Sequence, residues 1–153
     1  MNVVGKDFGA KKIFLPQVML SAEAMREAFI KIKERIPADS VSNKGTIVIA
    51  TVKGDIHDLG KNIVSALLEN NGFKVIDLGK DIDKEEIIKA AIDNKADMIG
   101  LCSLMTTTIT QIDEVIAELN KSDYSTKVMI GGAVVTQEYA DNVGADAYAP
   151  DGV

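Results

Sequence analysis

The chain has no tryptophan, one cysteine, one histidine and three prolines in 153 residues, and only 5% of them are aromatic. A single cysteine excludes an internal disulfide and fits a reducing, cytoplasmic setting. Without tryptophan and with few other aromatics, the core has to be aliphatic. One histidine and one cysteine cannot supply the roughly four ligands of a structural zinc site. Excess positive charge is lacking too, and a net charge of −6 argues against a nucleic-acid surface. No apolar run approaches the roughly 20 residues that span a bilayer, and no signal-peptide pattern is visible. Low-complexity tracts and internal repeats are absent. The expectation is one soluble α/β domain, long enough to bury a core, with no membrane and no nucleic-acid partner.

What is present is a series of short, continuous aliphatic runs. Strands are predicted at residues 46–52, 74–78, 97–102, 127–131 and 146–149, and helices at 59–71, 84–94, 107–120 and 135–143. Unalternated apolar strands signal a sheet covered on both faces, and interleaved helices signal parallel pairing with right-handed crossovers. Five such units predict a flavodoxin-like, doubly wound five-stranded parallel sheet of order 2-1-3-4-5, with its switch point between the first and third strands. Ahead of it, residues 1–15 read as a helix end and a loop broken by Gly5 and Gly9. Pro16 suits the first turn of a helix that runs to Ile36, where Pro37 stops it. Val18, Ala22, Met25, Phe29, Ile32 and Ile36 share one stripe of that helix. Residues 38–44 read as a linker, and residues 45–153 as the α/β domain.

The only histidine, His57, lies in Gly54-Asp55-Ile56-His57-Asp58-Leu59-Gly60, between the first strand and the first helix of this pattern. Open α/β sheets bind ligands at such turns. Asp55, two residues earlier, is close enough to accept a hydrogen bond from one ring nitrogen, which leaves the other as an electron-pair donor. The plainer uses are a surface histidine, glycines that serve a tight turn and Asp58 as a helix cap. One imidazole suffices for a metal only if the metal arrives with its other ligands in place, as in a macrocycle. Two further stretches end strands. The hydroxyls of Gly100-Leu101-Cys102-Ser103-Leu104-Met105-Thr106-Thr107-Thr108 either cap the next helix or face His57 across the switch point. The glycines of Met129-Ile130-Gly131-Gly132-Ala133 either turn the chain or leave space for a ligand.

These residues carry a resemblance. Asp55-Ile56-His57-Asp58-Leu59-Gly60 matches the Asp-x-His-x-x-Gly signature of cobalamin-binding domains. The flanks Ala50-Thr51-Val52-Lys53-Gly54 and Lys61-Asn62-Ile63-Val64 resemble cobalamin-dependent methionine synthase and the corrinoid methyl-carrier proteins. The resemblance implies that His57 replaces the cofactor's benzimidazole as a cobalt ligand, with Asp55 and then Thr108 as a hydrogen-bond chain behind it. It places Gly54, Ile56, Asp58, Gly60, Cys102, Leu104 and Thr106 around methylcobalamin. Gly131 and Gly132 leave room for the nucleotide tail, where a side chain would occupy the cofactor's volume. The family's Ser-x-Leu is Cys102-Ser103-Leu104 here, so a thiol, a weaker donor, stands where a hydroxyl is usual. Ser103 is one place out of register and takes no role on this match. Residues 1–37 resemble part of a helical cap, with Phe8 and Leu15 against the methyl group and Val18 among the cofactor-binding residues.

By this resemblance the chain is the carrier domain of a methyltransferase, not a complete enzyme. It shuttles a methyl group on cobalt from a donor to a thiol such as homocysteine, in the manner of methionine synthase. Its partners would be methyl-donor and methyl-acceptor methyltransferase domains or subunits and a reductive activation partner. The alternative is a corrinoid protein of a methylamine or methanol methyltransferase system, which shares every motif. A cobalamin-based light sensor would carry a DNA-binding segment, and a mutase domain lacks the cap. A phosphoryl receiver would need acidic residues ending strand one and a lysine after strand four, and a flavodoxin would need a phosphate loop after strand one. The partial cap and the lack of a last helix imply an excised or shortened piece. Its exposed apolar stripe is expected to dock on a second copy, giving a homodimer, or to be mobile.

Overall fold

The structure is a computed structural model that describes residues 2–33 and 44–150. The chain runs α1 (Asn2–Gly9), α2 (Leu15–Lys33), β1 (Thr46–Thr51), α3 (Leu59–Asn70), β2 (Lys74–Asp77) and α4 (Lys84–Asp93). It continues through β3 (Met98–Cys102), α5 (Thr110–Lys121), β4 (Lys127–Gly131), α6 (Gln137–Val143) and β5 (Ala147–Ala149). The five strands form one sheet of order β2-β1-β3-β4-β5, and every pairing is parallel. This is the predicted flavodoxin-like architecture.

The residue types explain the order. Thr46-Ile47-Val48-Ile49-Ala50-Thr51 is buried at every position, as a central strand covered on both faces must be. Lys74-Val75-Ile76-Asp77 is half-exposed and carries its charges at the ends, which suits an edge. The core is aliphatic: Val48, Ile99, Leu101 and Ile130 of the sheet pack with Ile87 of α4 and Ile112 and Val115 of α5. No described helix is long and apolar enough to cross a membrane.

Two elements differ from the sequence reading. Residues 2–9 form a helix of their own with Gly5 inside it, a tolerable cost of about 1 kcal/mol relative to alanine. α5 starts at Thr110, not 107, because Thr106–Thr108 form a turn closed by the Thr108 N–H on the Met105 carbonyl, with the Thr108 hydroxyl also reaching Asp55. The termination of α2 at Pro37 and all but Lys44 of the linker at 38–44 lie outside the described residues.

α2 packs on α3 through part of its stripe. Val18 is 1% and Ala22 4% exposed, while Met25 is 43% exposed and Leu20, off the stripe, 72%. Phe29, Ile32 and Ile36 lie outside the described side chains. Val18 is buried in this packing, so in this structure it is a packing residue of the cap segment.

Candidate functional site

β1 lies between β2 and β3, so the turn that follows it lies between the loops that follow both neighbours. Gly54 makes that turn at a φ of 79°, where a side chain would meet the Thr108 methyl. Asp55 then points inward and is fully buried. Its Oδ1 accepts the His57 backbone N–H at 3.0 Å and the ring Nδ1–H at 2.8 Å. Its Oδ2 accepts the Leu104 N–H at 2.7 Å, the Met105 N–H at 3.3 Å and the Thr108 hydroxyl at 3.1 Å.

Burial pushes the Asp55 carboxyl up, but the Leu104 and His57 N–H groups, the His57 ring and the Thr108 hydroxyl outweigh it and hold the pKa at about 2. An ionised carboxylate only accepts, so Nδ1 of His57 carries the ring hydrogen and Nε2 keeps its lone pair. The His57 side chain is 47% exposed, so that lone pair is accessible. Behind Asp55 the chain goes one step further. Thr108 gives its hydrogen to the carboxylate and accepts one from Ser103, with the two hydroxyl oxygens 2.9 Å apart. Thr108 is therefore not a helix cap, and α5 has no side-chain cap. Asp58 does not cap α3 with its side chain either; its carbonyl takes the Asn62 N–H at 2.8 Å.

A cavity of about 580 Å³ opens beside His57. Ile56, His57, Asp58 and Gly60 wall it on one side, and Cys102, Leu104, Gly131 and Gly132 on the other. Those eight were expected around the ligand. Asp55 and Thr108 are buried behind the wall instead of in it, and Gly54 and Thr106 are exposed outside it. The expected cap contacts are not brought together with the site: Phe8 and Leu15 are half-buried, Val18 is buried, and none of the three lines the cavity. Burial raises the Cys102 thiol, and the nearby Asp55 charge adds to this, so it faces the cavity protonated.

Gly132 has a reason of its own. Its φ is 125°, and a Cβ there would lie 1.9 Å from the Ser103 carbonyl oxygen. It is glycine because two strand-end loops touch, so a side chain would break that contact before it filled any ligand volume.

The sequence reading missed several wall residues, among them Gly100, Val64, Met129, Ala149 and Lys61. Lys61 is the least expected, because it is 2% exposed. Its Nζ reaches both oxygens of Asp77 at 2.5 Å and Asn62 Oδ1 at 2.7 Å. Asp77 also accepts from the Ser65 hydroxyl at 3.1 Å and the Gly79 N–H at 2.8 Å. Buried lysines are almost always paired. This pair fastens the first turn of α3 to the end of β2. The one sequence signal was the register of Lys61 with Ser65, four residues on, on a single helix face.

Among the described residues no three His, Cys, Asp or Glu side chains could hold a metal ion together. A metal at His57 must bring its own ligand set. Residues 45–152 match the B12 binding domain family model, and residues 1–33 match a second model of the same description. The chain belongs to the B12 binding domain family. Cobalamin is its cofactor, and the lone oriented imidazole beside an apolar-walled cavity fits that group. This B12-binding chain is 47% identical to dimethylamine corrinoid protein 3 of Methanosarcina mazei over 152 residues, which cover 97% of the chain and 91% of the relative. A cobalamin-binding protein from Desulfitobacterium hafniense DCB-2 superimposes with a TM-score of 0.85 at 30% identity, over 97% of this chain and 71% of that one. The methanol:cobalamin methyltransferase complex of Methanosarcina barkeri contains a chain that matches with a TM-score of 0.85 at 38% identity, over 99% of this chain and 58% of that one. The relatives are corrinoid proteins of methylamine and methanol systems, which favours that alternative over methionine synthase.

Proposed function

We propose that the chain is the corrinoid methyl carrier of a methylamine-type methyltransferase system, with a dimethylamine-specific methyltransferase as donor partner and a separate thiol methyltransferase as acceptor partner. The observation that carries the reading is the Asp55-fixed imidazole with its Nε2 open beside the cavity. The similarity to a dimethylamine corrinoid protein supports the choice of donor. When bound, cobalamin supplies a cobalt centre that takes up and gives up a methyl group.

The residues do the rest. His57 Nε2 would be the protein's donor to the cobalt, and Asp55 keeps it a donor by holding the hydrogen on Nδ1. The same buried carboxylate holds the ring in place whether or not the metal would be bound to it. Thr108 and Ser103 hold the carboxylate in place from behind. Ile56 and Leu104 present exposed apolar surface beside the ring, and the cavity between β1, β3 and β4 takes the nucleotide tail. We also read residues 1–37 as a partial cap, 38–44 as a linker and 45–153 as the cofactor domain. Val3, Phe14 and Leu20 stay exposed on α1 and α2 or between them, which supports association through this segment. Light scattering with and without cobalamin reads whether that association is a homodimer.

The test is reconstitution with hydroxocobalamin, reduction to cobalt(II) and electron paramagnetic resonance. Wild type should show nitrogen splitting from one imidazole, and His57→Ala should retain corrinoid through the tail cavity without that splitting. An unchanged spectrum of bound cofactor in His57→Ala removes the assignment. For the donor, methylation of the reduced protein should be faster with a dimethylamine methyltransferase than with a methanol one; the reverse order replaces the donor.

A further inference from the structure

We propose that Asp81, on the loop between β2 and α4, is a positioning residue for His57 that acts by clasping the Gly54–Asp55 segment. The inference rests on the reading of His57 as axial ligand and adds a residue that neither the signature motif nor the cavity wall contains.

The clasp has two points. The Asp81 carboxylate accepts the Gly54 N–H at 2.8 Å, and the Asp81 N–H donates to the Asp55 carbonyl at 3.1 Å. One residue thus holds both ends of the two-residue segment from which the Asp55 side chain projects. It can do so only because its own backbone is in the left-handed region, with a φ of 59°. Aspartate is among the few residues other than glycine that adopt this conformation readily.

The loop that carries Asp81 is itself fixed to the end of β1. Thr51 N–H donates to the Gly79 carbonyl at 3.0 Å, Ile82 N–H donates to the Thr51 carbonyl at 3.2 Å, and Val52 and Ile82 form a parallel bridge. Lys53 sets the direction of the carboxylate, with its Nζ 3.6 Å from Asp81 and 3.2 Å from Asp83. Asp55 fixes the direction of His57 through two hydrogen bonds on one oxygen, so a small rotation of the Gly54–Asp55 segment turns the ring. Without the clasp that segment keeps only the Asp55 N–H bond to the Val52 carbonyl, at 3.1 Å, and the contacts from the β3 side.

Three variants separate orientation from fold. Asp81→Gly keeps the left-handed backbone and deletes the acceptor. Asp81→Asn keeps both. Asp81→Glu keeps the charge but carries the acceptor one methylene too far. The full chain is loaded with hydroxocobalamin and reduced to cobalt(II), and the fraction of cobalt with nitrogen splitting is measured beside circular dichroism. Asp81→Gly and Asp81→Glu should lower the ratio of imidazole-bound to imidazole-free cobalt by about threefold or more, the effect of one modest hydrogen bond. Asp81→Asn should match wild type. A folded Asp81→Gly or Asp81→Glu with the wild-type ratio overturns the proposal, and so does an Asp81→Asn that falls with them, because an intact acceptor would then not hold the ring. If Asp81→Gly does not fold, Asp81→Glu decides alone. Wild type without nitrogen splitting would remove the His57 reading itself, a distinct outcome.

Discussion

Replacing Asp55 with asparagine keeps the shape of the side chain and removes its charge. Five donor groups converge on the carboxylate, and an amide offers an acceptor on one side only. Three of them meet Oδ2, so the amide oxygen stays there and the NH₂ turns to His57. Nδ1 must then accept, the ring hydrogen moves to Nε2, and the His57 backbone N–H loses its acceptor. A carboxylate held at about 2 against the usual 3.8 contributes roughly 2 kcal/mol at neutral pH. The orphaned N–H adds about 1–3 kcal/mol. The cofactor-free Asp55→Asn chain should therefore be about 3–5 kcal/mol less stable in urea at pH 6. The folded pKa lies below the unfolded one, so the wild-type advantage is complete above the unfolded value and is lost as pH falls toward the folded one. The gap should close by about 1 kcal/mol between pH 6 and pH 3. Equal stability at pH 6, or a gap that does not change with pH, refutes the reasoning.

Gly132→Ala should lower the thermal midpoint of the cofactor-free chain, because its methyl would lie 1.9 Å from the Ser103 carbonyl; an unchanged midpoint would show that the loops part freely. In the buried pair, the Lys61 side chain is 1% exposed and that of Asp77 is 32%. Asp77→Ala, which strands a buried ammonium, should therefore cost about 3–5 kcal/mol in urea denaturation and Lys61→Met distinctly less; the opposite order would contradict the burial. Val64→Phe narrows the cavity from the α3 side, and should weaken cobalamin binding by about tenfold or more while the urea midpoint stays near wild type. Equal affinity measured by equilibrium dialysis would move the tail elsewhere.

The sheet was legible because each strand is one unbroken aliphatic run and each connection is long enough for a helix. His57 and Asp55 were legible because both partners lie in one loop, two residues apart. The residues that escaped notice meet partners from other elements. Ser103 matters through Thr108 and Asp55, 48 positions away on another loop. Lys61 sits at a helix start, and only the end of β2 makes it a buried ion pair. Gly132 reads from the sequence as either a turn or ligand space; it lines the cavity, and the path of the β3 loop adds a backbone that excludes a side chain. Phe8, Leu15 and Val18 were placed by resemblance alone, with no pattern in the chain to hold them at the cavity. The choice between methionine synthase and a methylamine-type carrier was not written in the motifs, which both share. Similarity to a dimethylamine corrinoid protein over nearly the whole length favours the second.

The dependence of Asp55 on two neighbouring loops limits how portable the motif is. Leu104 and Met105 reach it from the end of β3, and Asp81 holds its backbone from the end of β2. Grafting Asp55–Gly60 onto another doubly wound domain would transfer the letters of the signature without the groups that aim the imidazole. A host would need matching N–H donors on one side of its central strand and an acceptor clasp on the other. An insertion in either neighbouring loop should disturb the histidine as surely as one in its own.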